Sequence, residues 1–215
     1  MAIWFQIRDI PDPYQYVRER EKAVFAACEA LQEGGLVVFP TETVYGIGCD
    51  AMNESAVRSL FERKQRPLDK ALLLHLHDRR QASKIAWLNE EAICLMDRFC
   101  PGPLSLVVPK KECVPDLVTA GQPTVGLRFP THPFFREMAA AYSGIIAATS
   151  ANLSGLPSAK DSEALNELDA IADVIIDAGP TEWKLESTVV SLTGERPVVL
   201  RQGAVSEEQL KEVLS

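Results

Sequence analysis

Short aliphatic runs alternating with polar loops punctuated by glycine and proline constrain the fold of this chain more than any other feature. LVVF at 36–39, ALLLHL at 71–76, LSLVV at 104–108, TVGLR at 124–128 and IIAAT at 145–149 read as strands. Further strands are predicted at 173–176, 187–192 and 197–200. Between them lie stretches with helical periodicity. Residues 14–33 form a predicted helix with Val17, Val24, Ala27, Cys28 and Leu31 near one face, ended by Gly34-Gly35, because glycine takes the left-handed cap without a Cβ penalty. Asn53 caps a helix to about Lys64, and Asp78 and Asn89 cap the next two. Helices are expected at 132–142 and 161–169. A last one starts at Ser206, where Ser206 and Gln209 fit a capping box. Pro40 to Asp50 reads as a loop. With no repeat and no long linker, residues 1–215 are expected to form one α/β domain, a twisted mixed sheet with flanking helices, whose strand order the sequence does not reveal.

Charge and composition narrow the function. The 215 residues carry a formal charge of −8 and are 47% apolar, ordinary for a globular chain. The acidic balance argues against a dedicated nucleic-acid binder, which usually carries a basic stripe. Locally the sign reverses: residues 58–80 hold seven bases and three acids, net +4 in a chain otherwise −12. No apolar run reaches the ~18 residues of a membrane helix, and the N-terminus lacks the parts of a signal peptide, so a cytoplasmic location is expected. Five cysteines, an odd number without a CxxC pair, argue against a disulfide framework or a structural zinc site.

Nucleotide and nucleophile motifs are mostly absent: there is no GxxxxGK[ST] and no GxSxG. Gly46 to Ala51 fits GxGxxA, but six residues separate it from the preceding strand, unlike a dinucleotide-binding turn. Its glycines are expected to allow tight turns beside a ligand. His75 and His77 fall on one strand face, which would permit a metal pair, yet no third ligand is apparent and a structural or substrate-lining role for His75 is preferred. His132 reads as helix-capping or structural. Better candidates are the loops after strands: PTETVYG with Thr41, Thr43 and Tyr45; KQRPLDK with Lys64, Arg66 and Lys70; TVGLRFPTHP with Thr124 and Arg128; TSANLSGLPS with Ser150, Asn152 and Ser158; ESTVV with Ser187 and Thr188; and LRQGA with Arg201. In open α/β sheets, ligands bind beyond strand ends. Hydroxyls and fixed cations with few candidate bases suit phosphates and a carboxylate.

Taken in order, FPTETVYGIG, Lys64-Gln65-Arg66-Pro67, Ser150-Ala151-Asn152 inside TSANLSG, and STVV…LRQGA resemble the YrdC/Sua5 family over about residues 20–205, with KQRPLDK nearest the short TsaC-type members. The resemblance implies a YrdC-like open sheet with a large concave cavity, without the additional C-terminal Sua5 domain. It implies synthesis of L-threonylcarbamoyladenylate from L-threonine, bicarbonate and ATP, with Mg²⁺ accompanying ATP and pyrophosphate released. A separate threonylcarbamoyl transferase would then modify adenosine 37 of tRNA. By the same resemblance Lys64, Arg66, Ser150 and Asn152 are catalytic and, with Lys70, Thr124, Ser158 and Arg201, bind ATP. Thr41, Thr43, Tyr45, His75 and Arg128 line the threonine side, Arg128 for the carboxylate, with Ser187 or Thr188 also within reach. Ser150 and Asn152 would contact the nucleotide phosphates or the metal, and no protein metal ligand is singled out. The alternative is a non-catalytic RNA-binding or ribosome-associated protein. A carbamoyl-transfer module akin to hydrogenase maturation factors ranks last.

Overall fold

A computed structural model describes residues 1–214. It contains one ten-stranded mixed sheet in the order β1-β8-β2-β3-β7-β4-β6-β5-β9-β10. The strands are β1 (Ile3–Gln6), β2 (Val37–Phe39), β3 (Gly46–Asp50), β4 (Leu73–His75), β5 (Gly102–Pro109), β6 (Thr124–Phe129), β7 (Ile146–Ser150), β8 (Val174–Asp177), β9 (Thr188–Ser191) and β10 (Val198–Arg201). The helices are α1 (Pro13–Gln32), α2 (Glu54–Lys64), α3 (Arg79–Ile85), α4 (Glu90–Phe99), α5 (Asp116–Thr119), α6 (Pro133–Tyr142), α7 (Ser162–Leu165) and α8 (Glu207–Leu214). The expected α/β domain is present, and so are the predicted caps. Asn53 accepts from Ala56 N at 3.2 Å and Asn89 from Ala92 N at 2.9 Å. Ser206 and Gln209 bond reciprocally at 2.8 and 3.3 Å. Gly34, at φ +80°, closes α1: its N–H reaches Leu31 O and that of Gly35 reaches Ala30 O, the paired bonds of a left-handed helix end.

Two expectations are corrected. The segment 40–50 is not all loop: Gly46–Asp50 is a strand paired antiparallel with β2 and β7. Its glycines answer close packing rather than a turn. A Cβ on Gly46 would lie 2.7 Å from the Phe39 ring, and one on Gly48 would lie 2.8 Å from Ala147 O. The helix expected at 161–169 is shorter, one α turn followed by a 3₁₀ turn over Asn166–Leu168.

The two faces of the sheet are used differently, and that difference creates the site. One face buries Val38, Ile47, Leu74, Leu106, Leu127 and Val190 against α2, α4, α5 and α8. On the other, α1 and α6 cover only part of the sheet, packing Ala27, Leu31, Phe135 and Met138 over Val37, Phe39, Ile146, Ala148 and Ile176. Side chains alternate along a strand, so the rest of this second face shows Leu73 and His75 of β4, Gly126 and Arg128 of β6, and Ser105 and Val107 of β5 beside Val189 of β9. These residues are smaller or polar, and Leu73, His75, Arg128 and Val189 line a cavity.

Candidate active site

The cavity measures about 260 Å³ and is walled by strand ends and the loops joined to them: 41–46, Arg66 and Ala71, 148–150 and 186–189, with Arg201. Thr41 and Thr43 meet there. Thr41 Oγ1 donates to Val44 O at 2.6 Å, accepts from Thr43 N at 3.2 Å and lies 3.0 Å from Thr43 Oγ1, a hydroxyl turn that shapes one wall. Tyr45 also lines the cavity, but its hydroxyl points elsewhere, donating to Gly179 O at 2.6 Å and accepting from Ala178 N at 3.0 Å. Burial first, opposed by that backbone bond, pushes this phenol's pKa up, so it stays protonated.

At the end of β6, Arg128 is buried and its Nη2 pairs with Glu42 and reaches Thr43 Oγ1 at 3.3 Å. The other carboxylate oxygen of Glu42 accepts from Thr131 N at 2.9 Å. Beside it His75 lies edge-on to Phe39 and Phe135, with ring centroids 5.9 and 5.8 Å away. Burial, and then the charge of Arg128, pushes His75 down to about 3, so the ring is neutral at physiological pH. Among the described residues its buried Nδ1 has no partner.

On the facing wall Arg201 pairs with Glu186 and donates to Ser187 O at 3.0 Å and Ser187 Oγ at 3.1 Å. Ser187 Oγ lies 2.9 Å from Ser105 Oγ, and Ser158 donates to Glu186 at 2.7 Å. Strand alternation separates the two candidates at this point. Ser187 lines the cavity, whereas Thr188 turns to the other face, donating to Val205 O at 2.6 Å and accepting from Gly203 N and Val205 N at 3.0 Å. Thr188 is thereby placed away from the cavity, holding the 203–205 turn.

The cations at and just after the end of α2 sit at the remaining end. Lys64, its last residue, is buried. It donates to Ser150 O and, at 2.9 Å, to Asn152 Oδ1, while Ser150 Oγ donates to the same Asn152 oxygen at 2.7 Å. Asn152 Nδ2 bonds Leu153 O and Leu156 O at 3.0 and 2.6 Å, fixing the turn. Burial, and then the nearby charge of Arg66, pushes Lys64 down to about 7 against the opposing pull of Glu186. Arg66 follows the left-handed Gln65 (φ 53°) and donates to Lys70 O at 3.0 Å and Ala71 O at 2.7 Å. Lys70 is exposed beyond the rim. Thr124 shares the cavity face of β6 with Arg128 but opens the strand, about 13 Å away at strand rise. Thus Arg66, Ser150, Arg201, Thr41, Thr43, Tyr45, His75, Arg128 and Ser187 come together on the wall. Lys64 and Asn152 stand just behind Ser150, Ser158 behind Glu186, and Thr124, Lys70 and Thr188 lie apart.

Sequence reasoning missed the two acids, Glu42 and Glu186. The signal was there: each sits inside a motif singled out for its hydroxyls, and a buried arginine needs a counter-ion. The carboxylates give the cavity two differently charged ends. Arg128 and Arg201 are each neutralised by an ion pair. Among the described residues no carboxylate lies within ion-pair distance of Lys64 or Arg66, whose hydrogen bonds go to neutral oxygens. His77 lies beyond the end of β4, and among the described residues no three His, Cys, Asp or Glu side chains are grouped to hold a metal. His132 caps α6, its Nδ1 accepting from Phe134 N at 3.2 Å.

Comparison with known proteins bears on the family and the fold. The family model for Sua5, YciO and YrdC, described as "Telomere recombination", matches residues 29–203. The threonylcarbamoyl-AMP synthase of Pyrococcus abyssi is 43% identical over 92% of this chain and 59% of its own. That of Bacillus subtilis is 42% identical over 87% of this chain and 55% of its own. The chain thus spans somewhat over half the length of these relatives. The crystal structure of P. abyssi Sua5 complexed with L-threonine superposes with a TM-score of 0.91 at 39% identity, over 99% of this chain and 61% of that one. With a family model over most of its length and the same open sheet, the chain belongs to the Sua5/YciO/YrdC family.

Proposed function

We propose that this protein is an L-threonylcarbamoyladenylate synthase. The observation that carries the reading is the polarity of the cavity: a paired, locally neutral end around Arg128 and His75, and an end where, among the described residues, Lys64 and Arg66 have no carboxylate within ion-pair distance. The first suits an amino acid, the second a polyphosphate. The relatives named for this activity, and the relative crystallised with L-threonine, support it.

In this reading Arg128 holds the threonine carboxylate, and neutral His75, Thr41, Thr43 and Ser187 surround the rest of the molecule. ATP lies along the open face, its phosphates toward Arg66, Ser150 and Arg201 and its nucleoside toward Thr124. The threonine ammonium gives up a proton to solvent, the freed amine and the bicarbonate carbon form a bond, and water leaves. The carbamate oxygen then attacks the α-phosphorus, the bridging bond to the β-phosphate breaks and pyrophosphate departs. The chain contributes by holding the two reactants together and by fixed donors aimed at developing charge. Mg²⁺ carried by ATP would screen phosphate charge, and the oxygen donors here fit it. Mg²⁺ keeps waters and takes few protein ligands beside phosphate, and the Ser150 hydroxyl and the Glu186 carboxylate border the phosphate end.

Lys64 and Arg128 are buried and Arg66 is half-buried at the cavity, which favours a small ligand there over a non-catalytic RNA-binding role. Among the described residues no helix is long and apolar enough to cross a membrane, and we place the enzyme in the cytoplasm. A transferase acting on tRNA would consume its product. The test is mass-spectrometric detection of threonylcarbamoyl-AMP from ATP, Mg²⁺, bicarbonate and L-threonine. Absence of that product from folded, nucleotide-free protein would reject the proposal.

A further inference from the structure

A lone buried guanidinium would attract any small anion. In this cavity Arg128 is not alone: it and Glu42 are 2% and 3% exposed and form an ion pair. Neutral His75 adds no charge beside them. The carboxylate of Glu42 is pinned from two sides, by Arg128 Nη2 and by Thr131 N at 2.9 Å, and its backbone carbonyl accepts from Trp183 N at 2.9 Å. Among the described residues the hydrogen bonds of the guanidinium fall on Nη2, and its Nε is buried without a partner. Arg128 lines the cavity and Nη1 makes neither of these bonds, so the guanidinium keeps donor capacity that a second carboxylate can satisfy.

We propose that Glu42 is a specificity-determining residue. By cancelling the charge of Arg128 it makes the amino-acid end of the cavity select a zwitterion over a simple carboxylate anion, while holding the guanidinium in place. The inference rests on the reading of this end as the threonine site. A ligand of net charge −1 gains attraction from an unpaired Arg128 and loses it beside a neutral pair. A zwitterion of net charge zero is far less sensitive to that difference. Stability alone is a weak reason for the pair, because buried ion pairs often give no net stabilisation over neutral side chains.

The experiment is calorimetric titration of wild type, Glu42→Gln and Glu42→Asp with L-threonine and with (2S,3R)-2,3-dihydroxybutanoate, in which a hydroxyl replaces the amine. Thermal unfolding of each variant checks that it is folded. Wild type is expected to prefer threonine, and Glu42→Gln to lose at least tenfold of that preference through tighter binding of the hydroxy acid. Glu42→Asp, which keeps the charge, is expected to hold the preference within about threefold, an electrostatic range well under one tenfold step. A preference unchanged in Glu42→Gln, or lost equally in folded Glu42→Asp, overturns the inference while leaving the threonine site standing. Wild-type protein that binds no threonine overturns both.

Discussion

The ammonium of Lys64 lies 2.9 Å from Asn152 Oδ1 and also donates to the carbonyl of Ser150, joining two polar motifs 88 residues apart in sequence. The end of α2 and the turn after β7 are thereby one unit. A phosphate drawn to Ser150 is also drawn to the charge behind it.

Substitutions within that unit should not add. Lys64→Met and Asn152→Ala are each expected to lower threonine-dependent turnover about 30-fold or more, corresponding to roughly 2 kcal/mol or more of transition-state stabilisation. The double variant should lose much less than the product of the two, as for residues sharing one hydrogen-bond network. Steady-state pyrophosphate release on the three variants decides; multiplicative losses would mean the two side chains act separately.

ATP binding should take up a proton. With its pKa pushed to about 7, Lys64 is mostly neutral at pH 8 in the free protein, and polyphosphate favours the charged form. Titrations in buffers of different ionisation enthalpy at pH 8 are expected to show uptake approaching about one proton per ATP, falling toward zero at pH 6, where Lys64 is already charged. Lys64→Met should abolish the difference.

Acid should destabilise the protein through His75. The native ring, held down to about 3 from 6.5, stays neutral where the unfolded chain takes up a proton, so stability from this group is complete above pH 6.5 and is lost as pH falls toward 3. The loss approaches about 1.4 kcal/mol per pH unit within that window. His132, lowered to about 4 chiefly by burial, contributes in the same direction. Urea unfolding at pH 7 and pH 4.5 should therefore differ less for His75→Leu than for wild type.

Gly48→Ala tests the packing of β3. The added methyl would meet Ala147 O and Ile146 Cγ2, each at 2.8 Å, inside a strand held on both sides. Overpacking of this kind costs about 1–3 kcal/mol, measurable as a lower urea midpoint at unchanged slope.

Much of this arrangement was legible in the sequence because it rests on local rules. Alternation along TVGLRF turns Gly126 and Arg128 to one side and Val125, Leu127 and Phe129 to the other, and the caps at Asn53, Asp78 and Asn89 are short-range chemistry. What escaped depends on long-range pairing. Gly46–Asp50 has the composition of a loop and is a strand because β2 and β7 flank it. Ile3–Gln6 is a strand because β8 offers it an edge. Glu42 reads as one more polar loop residue until β6 brings Arg128 beside it, 86 positions away. Thr188 looked equivalent to Ser187 until the register of β9 turned them to opposite faces.

The most direct test of the central claim is pyrophosphate release by purified, nucleotide-free protein with ATP, Mg²⁺ and bicarbonate, run with and without L-threonine and again with bicarbonate withheld. The account predicts release that requires both threonine and bicarbonate, with one threonylcarbamoyl-AMP formed per pyrophosphate. Release independent of threonine, or none from folded protein that binds ATP, would contradict it.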